Sequence, residues 1–133
     1  MKIRIDSLIE GAQKAQGTVI VIDVFRAFTT AAIAFSRGAE KIIMVAEIEE
    51  AFELRRQGFG DICIGEVEGM RPKGFDMGNS PLEISTADVK GKTLIQSTRA
   101  GTLGVTLAQQ ADQVYTCSFV VAKATSRTIL CDR

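Results

Sequence analysis

The feature that most constrains the fold is a series of short, nearly continuous apolar runs, each followed by a stretch with helical periodicity. The first three runs are residues 18–24 (TVIVIDV), 41–46 (KIIMVA) and 61–65 (DICIG). Strands that are apolar on both sides are buried on both faces, which is typical of parallel sheets covered by their crossover helices. The pattern therefore predicts an α/β fold, with a mostly parallel sheet and helices on both faces.

The remaining predicted elements continue this alternation. Apolar residues recur at helical spacing in four segments and predict helices over residues 26–37, 47–57, 100–111 and 119–130. Two further short strands are predicted over residues 93–96 and 113–117. A chain of 133 residues can bury a core without disulfides or a structural metal. We therefore predict a single α/β domain over residues 1–133.

Charge and composition narrow the possible functions. The 16 Lys and Arg residues balance 16 Asp and Glu residues, so the chain lacks the basic surface of a nucleic-acid or anionic-lipid binder. The N-terminus has no hydrophobic signal region and no apolar run reaches membrane length, so a soluble, cytoplasmic protein is expected. The three cysteines, Cys63, Cys117 and Cys131, are expected to be structural thiols in a reducing compartment.

The absence of histidine excludes several chemistries. A Ser-His-Asp triad, a Cys-His pair and a His-based zinc site all need a residue that this chain lacks. No cysteine is followed six positions later by arginine, so the phosphate loop of cysteine-dependent phosphatases is missing as well. An enzyme of this composition has to use carboxylates, hydroxyls and arginine. Oxygen ligands of this kind favour Mg²⁺.

A long polar loop covers residues 65–83 and contains both prolines and four of the twelve glycines of the chain. Within a compact α/β chain such a connection is either a binding loop or disordered, and its turn signals favour a binding loop. Its acidic, amide and hydroxyl groups suit a site for a metal and an anion. The end of the loop is also a good helix start, with Ser80 as N-cap and Glu83 as its capping-box partner, and this structural role is favoured for both.

Polar side chains follow four predicted strands at the points where the strands end. Ligands of open parallel sheets bind beyond the carboxyl ends of the strands, so these side chains are expected to converge on an active site. The residues are Asp23, Glu66, the Ser97-Thr98-Arg99 run and Ser118. Purely structural roles remain open for several of the candidate residues. Asp23 and Thr98 could cap helices, Arg26 could lie on a solvated helix face, and Gly101 could serve only a turn.

Four motifs carry a resemblance to a known family. They are residues 21–30 (VIDVFRAFTT), 65–66 (GE), 74–81 (GFDMGNSP) and 91–102 (GKTLIQSTRAGT), and in this order they resemble the 2-phosphosulfolactate phosphatase family. The resemblance implies the fold of that family and a magnesium-dependent phosphatase that hydrolyses 2-phospho-3-sulfolactate to 3-sulfolactate in coenzyme M biosynthesis. Members of the family are longer, so this chain is expected to be the N-terminal portion of the family fold.

The resemblance also leads to a hypothesis about residue roles. Asp23, Arg26 and Glu66 are the candidate catalytic residues, and Arg26 would clamp the phosphate or a second anion. Mg²⁺ would be held by Asp23, Glu66 and Asp76. The candidate substrate-binding residues are Asn79, Ser80, Ser97, Thr98 and Gly101, the last through backbone N–H groups nearby.

Alternatives remain at this stage for both mechanism and function. Phe25 stands where a haloacid-dehalogenase type of nucleophile would have a second aspartate, so direct attack by water is preferred over an aspartyl nucleophile. A non-catalytic anion-binding domain and an inactive truncated fragment are the competing interpretations. The expected partner is a small phosphorylated anion, with no nucleic acid and no membrane, and a homodimer is left open.

Overall fold

The structure is a computed structural model that describes residues 2–131. Strands and helices alternate along most of the chain, as the apolar pattern predicted. The elements are α1 (Leu8–Lys14), β1 (Gly17–Ile22), α2 (Ala27–Ser36), β2 (Lys41–Val45), α3 (Ile48–Arg56), β3 (Ile62–Gly65), β4 (Met77–Gly78), α4 (Pro81–Thr86), β5 (Thr93–Ser97), α5 (Gly101–Leu107), β6 (Ala111–Cys117), a 3₁₀ turn (Phe119–Val121) and α6 (Ala122–Cys131).

The strands form two parallel sheets, whereas the sequence predicted one. β1 pairs with β6 in a two-stranded sheet, and the other four strands form a sheet of order β2-β5-β3-β4. Each of these strand pairings is parallel, which confirms the α/β class. The division into two sheets could not be derived from the apolar runs, because such a run reports burial of a strand and not the identity of its neighbour.

The larger sheet is covered on both faces. One apolar cluster joins Ile64 and Leu94 to Ala34 of α2 and Ile84 of α4. The other cluster, around Ile95, packs against Ala51 of α3. Helix α5 contacts β1, β2 and β5 and so links the two sheets. None of the helices within residues 2–131 is long and apolar enough to cross a membrane.

Strand register defines the edge at which a ligand would bind. In the larger sheet the last residue of β5, Ser97, lies opposite Val45 on one side and Gly65 on the other, and Gly65 lies opposite Gly78. In the smaller sheet Ile22 lies opposite Cys117. The residues that follow these rows are Ala46, Thr98, Glu66 and Asn79 in the larger sheet, and Asp23 and Ser118 in the smaller one.

Three local predictions need correction. The helix predicted over residues 100–111 ends at Leu107, and Ala111 already belongs to β6. Helix α1 and strand β4 were not predicted, because α1 buries no residue and β4 has only two. The cysteines differ in environment, since Cys63 is buried while Cys131 is exposed at the end of α6. The expected structural role therefore fits Cys63 better than Cys131.

Candidate functional site

Asp23 and Glu66 come from different sheets and meet at the carboxyl ends of their strands. Asp23 follows β1, and its backbone N–H donates to the Cys117 carbonyl at 3.0 Å. Glu66 follows β3, and its backbone N–H donates to the Ser97 carbonyl at 3.0 Å. The two carboxyl groups are close enough for the charge of Glu66 to raise the pKa of Asp23. The predicted convergence of these two acids is therefore present in the fold.

Backbone groups fix the carboxylate of Glu66 in position. Its Oε2 atom accepts a hydrogen bond from the Gly69 N–H at 2.7 Å, and its Oε1 atom accepts one from the Arg99 N–H at 2.9 Å. The Gly69 N–H belongs to a tight turn in which Val67 and Met70 exchange backbone hydrogen bonds. Glu68 and Gly69 have φ angles of 53° and 80°, as a type I′ turn requires. The carboxylate is thus held by two loops at once.

Asp23 lies in a less hydrated environment than an ordinary surface aspartate. Burial is the main cause that raises its pKa, and the nearby Glu66 carboxylate adds to this effect. The backbone N–H groups of Ala27 and Phe25 and the charge of Arg26 act in the opposite direction. A nearby cation would favour the charged form of Asp23, which burial and the second carboxylate disfavour.

Gly101 and Arg26 shape the surroundings of Asp23. A Cβ atom on Gly101 would lie 2.8 Å from Oδ2 of Asp23 and 2.7 Å from the Cβ of Ala27, so only glycine allows this approach. Arg26 precedes α2 with φ of 102°, a conformation that is strained for a residue with a side chain. Its exposed guanidinium reaches towards Gly69, so Arg26 lies between the Asp23 loop and the turn that holds Glu66.

The hydroxyl of Thr98 is engaged inside the protein rather than available to a ligand. The Thr98 N–H donates to Oγ1 of Thr102 at 2.7 Å, and the Thr102 N–H donates to Oγ1 of Thr98 at 3.0 Å. Both residues are buried. This reciprocal pair fixes the segment whose next backbone N–H, that of Arg99, binds Glu66. The N-cap of α5 is Ala100, so Thr98 does not occupy the cap position, but its hydroxyl accepts from an N–H group of the first turn.

The other predicted substrate-binding residues differ in availability. The Ser97 hydroxyl is buried and donates to the Ala46 carbonyl at 3.4 Å. Ser80 is the N-cap of α4 and accepts from the Glu83 N–H at 3.3 Å, as the structural interpretation predicted. The Glu83 carboxylate, however, accepts from the Gly78 N–H at 3.0 Å. Asn79 is buried beside the Glu66 position, and its Oδ1 atom accepts no hydrogen bond from the described residues.

Asp76 is not brought together with Asp23 and Glu66. Its Oδ2 atom accepts from the Arg55 guanidinium at 2.9 Å and from the Cys63 N–H at 2.8 Å, so it is tied to α3 and to the middle of β3. Within residues 2–131 no group of three Asp, Glu or Cys side chains is arranged to hold a metal ion. The predicted three-carboxylate set is therefore reduced to the pair Asp23 and Glu66.

A cleft of about 450 Å³ opens beside Glu66 on the side of α3. Glu66, Ser97, Thr98 and Arg99 form one wall, and residues 46–49 form the other. Arg99 is exposed, and its guanidinium lies 3.9 Å from a Glu68 carboxylate oxygen, a distance at which an exposed pair contributes little to stability. Its side chain is therefore available at the mouth of the cleft.

Sequence reasoning missed two contributors to this site. Thr102 was not singled out, although its spacing of four residues from Thr98 at a helix start permits the reciprocal hydrogen bonds. Gly65 was recognised as a strand end and as part of the Gly65-Glu66 motif but not as a close contact, although a Cβ atom there would lie 2.0 Å from the Ser97 carbonyl oxygen. A glycine directly before an acid at a strand end was the available signal for this close approach.

Comparisons with known proteins agree with this arrangement. The family profile described as 2-phosphosulpholactate phosphatase matches residues 3–132. A protein from Carboxydothermus hydrogenoformans named "Probable 2-phosphosulfolactate phosphatase" is 45% identical over 112 residues, which are 84% of this chain and 46% of the relative. A protein of the same name from Thermotoga petrophila is 46% identical over 64% of this chain and 37% of its own length. Another, from Prochlorococcus marinus, is 36% identical over 85% of this chain and 47% of its own length.

The fold and the site define an α/β protein with an acidic site at the carboxyl ends of parallel strands. The chain belongs to the 2-phosphosulfolactate phosphatase family. It spans less than half the length of the curated relatives that it matches.

Proposed function

We propose that the chain carries a site for the magnesium-dependent hydrolysis of a small anionic phosphate monoester. By family membership, the proposed reaction is that of 2-phospho-3-sulfolactate to 3-sulfolactate in coenzyme M biosynthesis. The observation that carries the proposal is that Asp23 and Glu66, which follow strands of different sheets, are near enough for their charges to interact. The charge of Arg26 also acts on Asp23, and Gly101 packs directly against the Asp23 carboxylate. The sequence at this edge is the part of the chain on which the family resemblance depends.

The donor set fits a magnesium ion. Mg²⁺ in phosphoryl-transfer sites is often held by one or two carboxylates, and waters and substrate phosphate complete its coordination. Asp23 and Glu66 supply two carboxylates whose charges repel each other. When bound, Mg²⁺ would offset the negative charge that accumulates on the phosphoryl oxygens.

The protein groups have separable roles in this proposal. Glu66 is oriented before any ligand arrives, because the Gly69 and Arg99 N–H groups hold its two oxygens. Arg26 presents a planar guanidinium that suits a phosphoryl group or the second anion of the substrate. Water attacks phosphorus, the ester P–O bond breaks, and the products are inorganic phosphate and the free alcohol. Phe25 occupies the position of a second aspartate, so an aspartyl-enzyme intermediate is the less favoured route.

A second candidate function is a non-catalytic anion-binding domain. One observation favours it: Asp76 is engaged by Arg55, which leaves two carboxylates at the site. Under this alternative the chain binds a phosphorylated anion without hydrolysing it. Turnover that depends on Mg²⁺ separates the two functions.

Phosphate release tests the proposal directly. The purified chain is assayed with 2-phosphosulfolactate and a panel of small phosphate monoesters, with Mg²⁺ and with excess chelator. Asp23→Asn and Glu66→Gln are expected to lower turnover by roughly two orders of magnitude or more. Asp88→Asn, an exposed acid outside the site, is the matched control. The absence of chelator-sensitive release from folded protein would contradict catalysis and favour the binding domain.

A further inference from the structure

A buried glutamine lies in an inner strand of the larger sheet, where its neighbours are apolar. Gln96 belongs to β5 and is 0% exposed. Its cross-strand neighbours are Met44 of β2 and Ile64 of β3. Because side chains alternate along a strand, Gln96 shares the face of Leu94, which packs with α2 and α4 in an apolar cluster. The position therefore has the surroundings of a core residue but carries an amide.

The amide of Gln96 is only partly satisfied by hydrogen bonds. Its Nε2 atom donates to the carbonyl of Ala27, at the start of α2, at 3.0 Å. Its Oε1 atom is buried and accepts no hydrogen bond from residues 2–131. A buried polar atom without a partner lowers stability, and an apolar side chain of similar size would avoid this cost. The stability of the fold alone therefore does not account for a glutamine at this position.

The residue that Gln96 holds, Ala27, lies beside the carboxylate of Asp23. A Cβ atom on Gly101 would lie 2.7 Å from the Cβ of Ala27 and 2.8 Å from Oδ2 of Asp23, so both atoms flank one point. Burial raises the pKa of Asp23, and the Ala27 N–H acts against this rise as a hydrogen-bond donor. Through Ala27, a side chain of the larger sheet thus reaches an acid that follows a strand of the smaller sheet.

The same segment of β5 also fixes the second acid. The residue after Gln96 is Ser97, whose carbonyl accepts the Glu66 N–H at 3.0 Å. Two residues further on, the Arg99 N–H donates to Oε1 of Glu66 at 2.9 Å. One short stretch of chain therefore contacts the surroundings of Asp23 through a side chain and Glu66 through its backbone.

We propose that Gln96 is a positioning residue, which holds Ala27 against Asp23 and so sets the position of Asp23 relative to Glu66. Its side chain is fully buried and acts through Ala27, so it needs no contact with a ligand. The effect on Mg²⁺ affinity rests on the proposed function, whereas the connection from Gln96 to Asp23 through Ala27 does not. The two parts are tested by separate measurements.

Amide resonances test the connection without any ligand. Gln96→Met keeps the length of the side chain and removes the Nε2 donor. In ¹H–¹⁵N spectra the Ala27 amide proton is expected to move upfield, because its hydrogen bond to the Asp23 carboxylate weakens. Asp23→Asn replaces the charged acceptor with a neutral one and gives the reference shift in the same direction. Gln13→Met, at an exposed position of α1, is the matched control and should leave this resonance unchanged.

Calorimetric titration with Mg²⁺ tests the consequence for the site. Groups that orient metal ligands typically change affinity by tenfold or more, and Gln96 acts one contact further out, so Gln96→Met is expected to lose roughly three- to tenfold. Its urea midpoint should stay at or above that of wild type, because the unpaired Oε1 atom is removed. In an Asp23→Asn background the same change should cause no further loss of affinity, since Gln96 acts through Asp23.

Ile84→Val is the control for a loss of stability alone. Ile84 is a buried residue of α4 outside the site, and its truncation should lower the urea midpoint and leave Mg²⁺ affinity unchanged. If this variant lost as much affinity as Gln96→Met, the positioning role would be wrong. A full further loss in the Asp23→Asn background would also overturn it.

The amide spectrum separates this proposal from the proposed function. An Ala27 amide proton that does not move in folded Gln96→Met would overturn the positioning role. If wild type binds no Mg²⁺, the proposed function fails, and the Ala27 resonance alone decides the role of Gln96. Gln96→Leu replaces Gln96→Met in every measurement if Gln96→Met loses its far-ultraviolet circular dichroism.

Discussion

Among single residues, Asp23 is the carboxyl group whose charged form is disfavoured by its surroundings in the folded protein. Asp23 sits at a strand end with its pKa raised by burial and by the Glu66 carboxylate. Arg26 adopts φ of 102° beside it. Strained backbone and perturbed ionisation tend to concentrate at functional sites, because selection for activity tolerates their cost in stability. The effect of a site residue on the stability of the fold can therefore be measured at Asp23.

Asp23→Asn is expected to raise the free energy of unfolding at neutral pH in the absence of divalent cations. The pKa of Asp23 is higher in the folded state than in the unfolded state. The stability linked to its protonated form is therefore present below the unfolded-state pKa and is lost as pH rises through the folded-state pKa. Asparagine does not ionise, so the gain over wild type is greatest at neutral pH and disappears in acid. Urea unfolding at several pH values measures this difference, and a loss of stability at neutral pH would contradict it.

The cysteines are expected to differ in reactivity. Burial raises the pKa of the Cys63 thiol, with a smaller contribution from Asp76, whereas Cys131 is exposed. Only the thiolate reacts with disulfide reagents, so Cys63 should be protected in the folded protein while Cys131 reacts quickly. Titration with a chromogenic disulfide under native and denaturing conditions compares the two rates, in a Cys117→Ser background because the half-buried Cys117 is a third free thiol. In that background Cys131→Ser is the control that removes the fast phase, and equal rates for Cys63 and Cys131 would refute the assignment.

The sequence predicted some residues of the site and not others, for a physical reason. Asp23, Glu66 and Gly101 were identified because each lies where a strand ends or a helix begins, which is a local property. The engagement of Asp76 could not be predicted, because its partner, Arg55, lies 21 residues away on α3. The sequence left the Thr98 hydroxyl between two roles, and its hydrogen bond with the buried Thr102 was not foreseen. Roles that depend on a distant partner could not be derived from local pattern.

At the scale of elements, the long polar loop is fixed to α3 at its middle. The Arg55 guanidinium donates to Oδ2 of Asp76 at 2.9 Å and to the Gly74 carbonyl at 3.1 Å. Phe75 packs edge-on against Phe52 of α3, with the ring centres 5.4 Å apart. These contacts order the loop between Glu66 and Asn79 without any ligand. The turn signals of the sequence predicted an ordered loop, but not the element that holds it.

Asp76→Asn is expected to destabilise the protein by about 1–2 kcal/mol and to leave Mg²⁺ affinity unchanged. The charge-assisted hydrogen bond from Arg55 is weakened, and partial exposure of the pair limits the loss. Chemical unfolding and calorimetric Mg²⁺ titration of the same variant measure the two effects. Asp88→Asn is the control for stability. Loss of Mg²⁺ binding without loss of stability would restore Asp76 as a metal ligand.

At the scale of the whole molecule, two sheets share helices and should unfold together. Helix α5 contacts β1 of the smaller sheet and β2 and β5 of the larger one. The apolar pattern predicted the parallel strands and the covering helices but not their division into two sheets. The reason is that the pattern specifies which faces are buried and leaves the strand order free.

A single cooperative unfolding transition is the expected result of this coupling. Tyr115 of β6 is the only tyrosine and the chain has no tryptophan, so tyrosine fluorescence reports on the smaller sheet. Far-ultraviolet circular dichroism reports on the whole molecule. Coincident urea transitions by the two probes are predicted. Loss of the tyrosine signal at lower urea would mean that the smaller sheet unfolds independently.

If Asp23 and Glu66 form one cation and phosphate site from two sheets, both carboxylates contribute to Mg²⁺ affinity. Calorimetric titration of the chain with Mg²⁺, with and without inorganic phosphate, measures this contribution. Wild type and Asp76→Asn are expected to bind, and Asp23→Asn and Glu66→Gln are both expected to lose affinity by roughly tenfold or more. Wild-type affinity in either of these two variants would contradict the shared site.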